Sequence, residues 1–309
     1  MIRIKREKRW LKAFLHRERP DLIISDNRYG LWSRDVFCVF VTHQLHIRTP
    51  FGRVGDLMLQ QMNYHFIRRF SQCWVVDVEG SGLAGELSHP AIFPPIPLRY
   101  IGWLSRFGAG DGAERSGDAP GMDAAGRLSK PGSNDEAQPG ARSGTGGSDY
   151  ILVLLSGPEP QRTLLERRII EQSAGCPRRI VLVRGLPEGG AAIEGLPEGM
   201  VVYDHLPATD LERVIRQAAF VIARPGYSTV MDLVRLEKRA VLIPTPGQSE
   251  QEYLGNRLAA NGWAACMTQR KFSMTAAVAA AGAFSFGSLH QKDRGQLGIA
   301  VEEALANCG

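Results

Sequence analysis

The sequence predicts an α/β protein of two doubly wound, Rossmann-like domains, the first incomplete, joined by a flexible linker. Three observations carry this prediction. In the second half of the chain, short apolar runs alternate with helical patterns. Those runs are continuous rather than polar at every second residue, as strands buried on both faces of a parallel sheet require. Between the halves, the stretch from Gly108 to Ser148 is rich in Gly, Ser, Asp and Ala and has no Ile, Val, Phe, Trp or Tyr.

In the second half, strands are expected at Tyr150 to Leu155, Arg179 to Val183, Met200 to Tyr203, Phe220 to Ala223 and Ala240 to Ile243. Helical patterns separate them at about Pro160 to Gln172, Asp210 to Gln217, Ser228 to Leu236 and Glu250 to Asn261. In the first half, a basic helix from about Ile4 to Glu18 precedes strands at Leu22 to Ser25 and Phe37 to Thr42. A helix near Leu57 to Phe70 and a strand at Cys73 to Val76 follow. This is about half of a doubly wound domain and it starts in a helix, so a segment upstream is expected to be missing. The segment from Gly108 to Ser148 cannot bury enough apolar surface to offset its ordering entropy and is expected to be disordered. The predicted division is residues 1–107, a linker at 108–148, and residues 149–309.

The composition is that of a soluble globular protein, with 44% hydrophobic and 22% charged residues. No apolar run approaches the roughly 20 residues that span a bilayer, and the cluster Trp10, Leu11, Phe14, Leu15 is too brief for a secretory signal. A cytoplasmic location is expected. The five cysteines lack metal-ligand spacing, and Cys38 and Cys73 lie in apolar runs that suit buried free thiols. A net charge of +5 does not argue for nucleic acid, and none is expected as a partner. The charge is uneven, however: Arg3, Lys5, Arg6, Lys8, Arg9, Lys12, Arg17 and Arg19 crowd the start. A solvated helix face accounts for this; so would a surface meeting anionic lipid headgroups at the inner face of the membrane.

Two loops in the second half could carry chemistry. After the strand ending at Ala223, Arg224-Pro225-Gly226-Tyr227-Ser228-Thr229 turns the chain into a helix. Gly226 permits close backbone approach and Ser228 is placed to cap the helix, whose free N–H groups and positive dipole end suit a phosphate. Asp232 follows one turn on, placed for ribose hydroxyls. An ordinary βα turn with a serine cap would look the same. The next loop, Pro244 to Tyr253, offers Gln248, Glu250, Gln251 and Glu252, enough polar groups to hold a sugar, or else a polar helix start. In a parallel sheet both loops leave the same edge.

The sequence from Arg224 to Gly262 resembles the C-terminal donor domain of family 28 glycosyltransferases, relatives of the enzyme that adds N-acetylglucosamine to the lipid-linked peptidoglycan precursor. The resemblance implies that the turn at Arg224-Pro225-Gly226 opens the helix holding a nucleotide diphosphate. It implies that Asp232 binds ribose and that Gln251-Glu252 contacts the sugar. Pro225 and Glu252 depart from the family pattern. Ser156-Gly157-Pro158 resembles the family's second glycine-rich loop. In the first half, Pro20 to Asp26 followed by Thr42-His43-Gln44 resembles the latter part of the acceptor domain.

The implied fold is the two-domain GT-B type. The implied reaction moves a sugar, N-acetylglucosamine or similar, from a UDP-sugar to a hydroxyl of a carbohydrate or lipid-linked acceptor, with inversion. His43 and Asp26 are the candidates for the base. The chain has no Asp-x-Asp, so helix-dipole stabilisation is expected to replace a metal, and no cofactor is expected. Two alternatives stand: a donor-binding subunit that needs a partner subunit to complete it, and a nucleotide-sugar epimerase.

Overall fold

The computed structural model describes residues 2–49, 51–80, 82–107, 150–287 and 295–308. The predicted linker lies outside the described residues. The chain forms two compact units: Met1–Leu104 with Gln291–Gly309, and Ser105–His290. The C-terminal residues therefore group with the first unit, whereas the sequence placed 149–309 in one domain. Arg99 and Glu303 form an ion pair within that first unit.

The first unit begins with α1 (Ile2–Leu15), followed by β1 (Leu22–Asp26) and β2 (Phe37–Thr42). Then come α2 (Gly52–Ile67), β3 (Gln72–Val75) and β4 (Leu98–Tyr100), and α8 (Gln296–Ala306) closes the chain. The four strands form a parallel sheet in the order β1-β2-β3-β4, with Leu22 opposite Phe37 and Val39 opposite Gln72. β4 escapes the sequence pattern because it has three residues and follows a proline-rich stretch. The helix α2 starts five residues earlier than expected. The glycine-rich start reads as a loop, but Asp56 accepts a hydrogen bond from Thr49 N at 2.6 Å and anchors that end.

The unit's core joins Phe40, Tyr64, Ile67, Phe70, Cys73 and Val75. Cys38 and Cys73 are free and buried, as expected, and burial pushes the Cys73 thiol up to about 12. α1 buries only Leu11, while Trp10 stacks on Phe14 at 5.3 Å and stays 58% exposed. Gly30 lets α1 pack closely: a Cβ there would come within 2.6 Å of the Ile4 carbonyl oxygen.

The second unit contains β5 (Tyr150–Leu154), α3 (Gln161–Ser173), β6 (Arg179–Val183), β7 (Met200–Tyr203) and α4 (Ala208–Gln217). It continues with β8 (Phe220–Ala223), α5 (Tyr227–Arg235), β9 (Ala240–Leu242), α6 (Ser249–Ala260), β10 (Ala265–Cys266) and α7 (Met274–Ala283). All its strands are parallel, in the order β10-β9-β8-β5-β6-β7. The first strand thus sits centrally, with β6 and β7 on one side and β8 to β10 on the other. That is the doubly wound dinucleotide-binding order, and its topological switch point lies between β5 and β8. The uniformly buried strands β8 and β9 explain the continuous apolar runs, and the core spans Ile151, Val153, Leu182, Ile222 and Val241. β10 is too short, and α7 too uniformly rich in alanine, to give a periodic signal.

Candidate functional site

In the second unit the loops after β5, β8 and β9 converge at the switch point. Gly157, in the loop after β5, has φ +101, which glycine alone adopts without strain, and a Cβ built there would lie 3.5 Å from Thr245 Oγ1. The loops after β5 and β9 therefore meet across the end of β8, the strand between them. Thr245 Oγ1 is buried and has no hydrogen-bond partner among the described residues. Sequence reasoning passed over Thr245, because its isolation depends on the convergence of loops far apart in the chain.

The turn at residues 224–229 is arranged differently from the expectation in two respects. First, Gly226, not Ser228, is the N-cap of α5, and it makes no side-chain cap. Ser228 is exposed in the first turn beside the half-buried Thr229. Gly226 has φ −70, so its backbone does not demand glycine, and a Cβ there would meet only Thr229 Oγ1, at 3.9 Å. Around that Cβ position the space is otherwise open. Tyr227 is buried at 4% exposure.

Second, Arg224 points inward. It is 1% exposed; Nη1 donates to the carbonyls of Ile243 (2.9 Å) and Pro244 (3.1 Å). Nη2 donates to the Gln161 carbonyl (3.0 Å) and Gln269 Oε1 (2.6 Å). The guanidinium faces carbonyl and amide oxygens, and burial pulls its pKa down to about 10. Arg224 ties the end of β9, the start of α3 and the Gln269 segment beneath the turn, a bracing part that the expected diphosphate contact did not foresee.

Asp232 is 3% exposed and already accepts three bonds. Oδ1 takes Ser105 Oγ (2.7 Å) and Arg106 N (3.3 Å), and Oδ2 takes Arg106 Nε (2.8 Å). A carboxylate offers about four acceptor positions, so about one is left for a further hydroxyl. In the following loop, Gln251 Oε1 accepts from Thr245 N (2.9 Å) and Glu252 Oε1 from Gly247 N (3.1 Å). These first-turn side chains of α6 fold back and fix the loop, while Gln248 is the N-cap and Glu250 is half-buried beside it.

In the first unit, Asp26 ends β1 and is exposed, and His43 follows β2 and is half-buried. The parallel pairing of β1 with β2 places both at the C-terminal edge of the sheet. The loop after β3 adds Asp77, Ser88 and His89, a hydrogen-bonded group absent from the sequence expectations. The one local signal for it is an acid two residues beyond an apolar strand, followed by Gly80 and Gly82.

Comparison with known proteins adds the following. Residues 196–281 match the glycosyltransferase family 28 C-terminal domain. No curated protein matches the chain in sequence. Among solved structures, the glycotransferase of kitacinnamycin aligns over 99% of this chain and 75% of its own, with 14% identity and TM-score 0.58. The glycosyltransferase SnogD from Streptomyces nogalater aligns over 99% and 80%, with 11% identity and TM-score 0.55. UDP-N-acetylglucosamine 2-epimerase from Rickettsia bellii aligns over 98% and 78%, with 10% identity and TM-score 0.55. At these identities the likeness is one of fold.

Proposed function

We propose that this chain, whose residues 196–281 match the glycosyltransferase family 28 C-terminal domain and whose fold is shared with glycosyltransferases, moves a sugar from a UDP-sugar to an acceptor hydroxyl with inversion and without a metal. N-acetylglucosamine or a similar sugar is the proposed donor group. The observation that carries this reading is the first turn of α5, which leaves the sheet at the switch point with Ser228 exposed and open space over Gly226. N–H groups at a helix N-terminus and the dipole behind them stabilise the charge that grows on a leaving diphosphate. Such a site takes over the charge-stabilising part of a metal, and the chain has no Asp-x-Asp to hold one.

In this reading Gly157, Gly226, Ser228 and Thr229 surround the diphosphate, with Tyr227 packed beneath and Arg224 bracing the turn. Asp232 takes a ribose hydroxyl through its remaining acceptor position. Gln248 and Glu250 face the sugar, together with Gln251 Nε2 and Glu252 Oε2, the atoms left over once each Oε1 has taken its loop N–H group. His43 and Asp26 belong to the acceptor edge of the first unit, where a group must remove the hydroxyl proton. The acceptor is a carbohydrate or lipid-linked molecule. Contact with a membrane surface would come through the exposed basic residues of α1 and Trp10. Among the described residues no helix is long and apolar enough to cross a membrane.

The fold shared with a UDP-N-acetylglucosamine 2-epimerase supports a second reading, isomerisation of the nucleotide sugar. Incubation with UDP-N-acetylglucosamine, with and without an alkyl glycoside acceptor, separates the two. Transfer predicts UDP and an elongated glycoside only with the acceptor. An isomerised nucleotide sugar formed without the acceptor would replace the transfer reading.

A further inference from the structure

Beyond β3, Asp77 is wholly buried and its carboxylate is surrounded by donors. Oδ1 accepts from Val78 N (2.9 Å), Leu83 N (3.0 Å) and Trp103 Nε1 (2.7 Å). Oδ2 accepts from Ala84 N (3.0 Å) and Ser88 Oγ (2.6 Å). Gly82 makes room for it, since a Cβ there would fall 1.9 Å from Oδ1. Clamping a loop would account for Asp77 alone. It does not account for His89.

Ser88 has one hydroxyl hydrogen, and Asp77 Oδ2 takes it at the shortest of its contacts. Ser88 Oγ must then accept from His89 Nδ1, 2.8 Å away. The other neighbour of Nδ1, the Gly85 carbonyl at 3.1 Å, is also only an acceptor. The hydrogen of the neutral ring therefore sits on Nδ1, and Nε2 carries the lone pair. The ring is held by stacking on Tyr100, with centroids 4.8 Å apart and planes at 11°, and the Tyr100 hydroxyl donates to the Ser88 carbonyl at 2.9 Å. Nε2 is buried and has no partner among the described residues. An unmatched buried acceptor is costly unless a donor completes it, and a ligand hydroxyl is such a donor.

The place in the fold agrees. Leu87 O accepts from Leu45 N (2.7 Å) and His46 N (2.9 Å), so the loop carrying His89 is joined to the loop carrying His43. These loops leave the adjacent parallel strands β3 and β2.

We propose that His89 is the base that takes the proton of the acceptor hydroxyl, with Ser88 and Asp77 as positioning residues that fix its tautomer. This rests on the transfer reading above, and His43 then positions the acceptor. In the step, the acceptor O–H bond breaks and its proton goes to Nε2. The oxygen forms the bond to the anomeric carbon, and the bond from that carbon to the diphosphate breaks with its electron pair leaving on the diphosphate. Asp77, through Ser88, offsets the positive charge gained by the ring.

Two measurements on the whole chain test this. Nitrogen-15 NMR of labelled histidine, assigned with His89→Gln, should show His89 as the Nδ1–H tautomer, and Ser88→Ala, which leaves only the Gly85 carbonyl on Nδ1, should introduce a measurable fraction of the Nε2–H form. With UDP-N-acetylglucosamine and an alkyl glycoside acceptor, His89→Gln should lose at least about 100-fold in kcat while its UDP affinity stays within about twofold. Ser88→Ala, the milder change, should lower kcat without changing the donor KM. An Nε2–H tautomer in the wild type, or His89→Gln turnover within about threefold of wild type, would overturn the proposal. A wild type that binds UDP and holds the Nδ1–H tautomer, yet transfers to no acceptor, would sink the transfer reading and the role of base with it. The hydrogen-bond relay itself would then stand.

Discussion

Replacing Arg224 by alanine separates two parts the residue could play. Its guanidinium makes four hydrogen bonds to the oxygens of Ile243, Pro244, Gln161 and Gln269. At about 1 kcal/mol net for each, their loss removes about 4 kcal/mol. Two effects reduce this. Burial disfavours the cation, as its pKa near 10 shows, and Gln269 keeps one partner because its Nε2 donates to Gln161 Oε1 at 2.9 Å. A net loss of about 3 kcal/mol is expected, large for a folded domain. Arg224→Lys should recover only part of it, because a single ammonium cannot reach acceptors on three segments. Urea unfolding followed through Trp263 fluorescence reads the second unit, and UDP titration at a temperature where the variant is folded reads the site. Lower stability with a modest loss of affinity is expected. If Arg224→Ala unfolds within about 0.5 kcal/mol of wild type while UDP binding collapses, the guanidinium contacts the diphosphate and the bracing account fails.

Other perturbations test separate parts. Asp232→Ala should weaken UDP binding by about tenfold, the value of one charge-assisted bond; unchanged affinity in calorimetry would remove the ribose assignment. Gly185 has φ +70 and a Cβ there would sit 2.4 Å from the Leu155 carbonyl, so Gly185→Ala should cost about 1–3 kcal/mol in unfolding measurements. Hydrogen bonds from Gly190 N and then Arg184 lower the Asp204 pKa, so its stabilisation is present above the unfolded value and lost as pH falls through the folded one. The stability gap between wild type and Asp204→Asn should therefore shrink on acidification through the carboxylate range; a constant gap would contradict this. Addition of a chelator should leave transfer unchanged, and loss of activity restored by magnesium or manganese would refute metal independence.

How much of this was legible in the sequence follows from the range of the forces involved. The strands at Arg179–Val183, Met200–Tyr203 and Phe220–Ala223 match the expected bounds residue for residue; β8 is buried throughout and β6 beyond its first residue, which leaves no polar positions there, while the edge strand β7 is half-buried after Met200. The turn into a helix after Ala223 and the polar first turn of α6 were likewise visible, since turns and first turns are local, although the cap is Gly226 and not the expected Ser228. The direction of a side chain was not. Arg224 was expected beside the diphosphate because nothing near it in sequence reveals acceptors 19 to 63 positions away. Gln251 and Glu252 looked free to meet a sugar, yet each turns back on a loop N–H group.

The amino-acid sequence by itself determined the layered α/β architecture, the open helix end after β8 and the family it resembles, because periodicity and turn chemistry are written along the chain. The tertiary structure alone decided the strand order that creates the switch point and the bracing part of Arg224. It also decided the grouping of α8 with the first unit and the relay from Asp77 through Ser88 to His89. Each of these depends on which distant segments meet, and on which buried donor finds which acceptor, and only packing selects that.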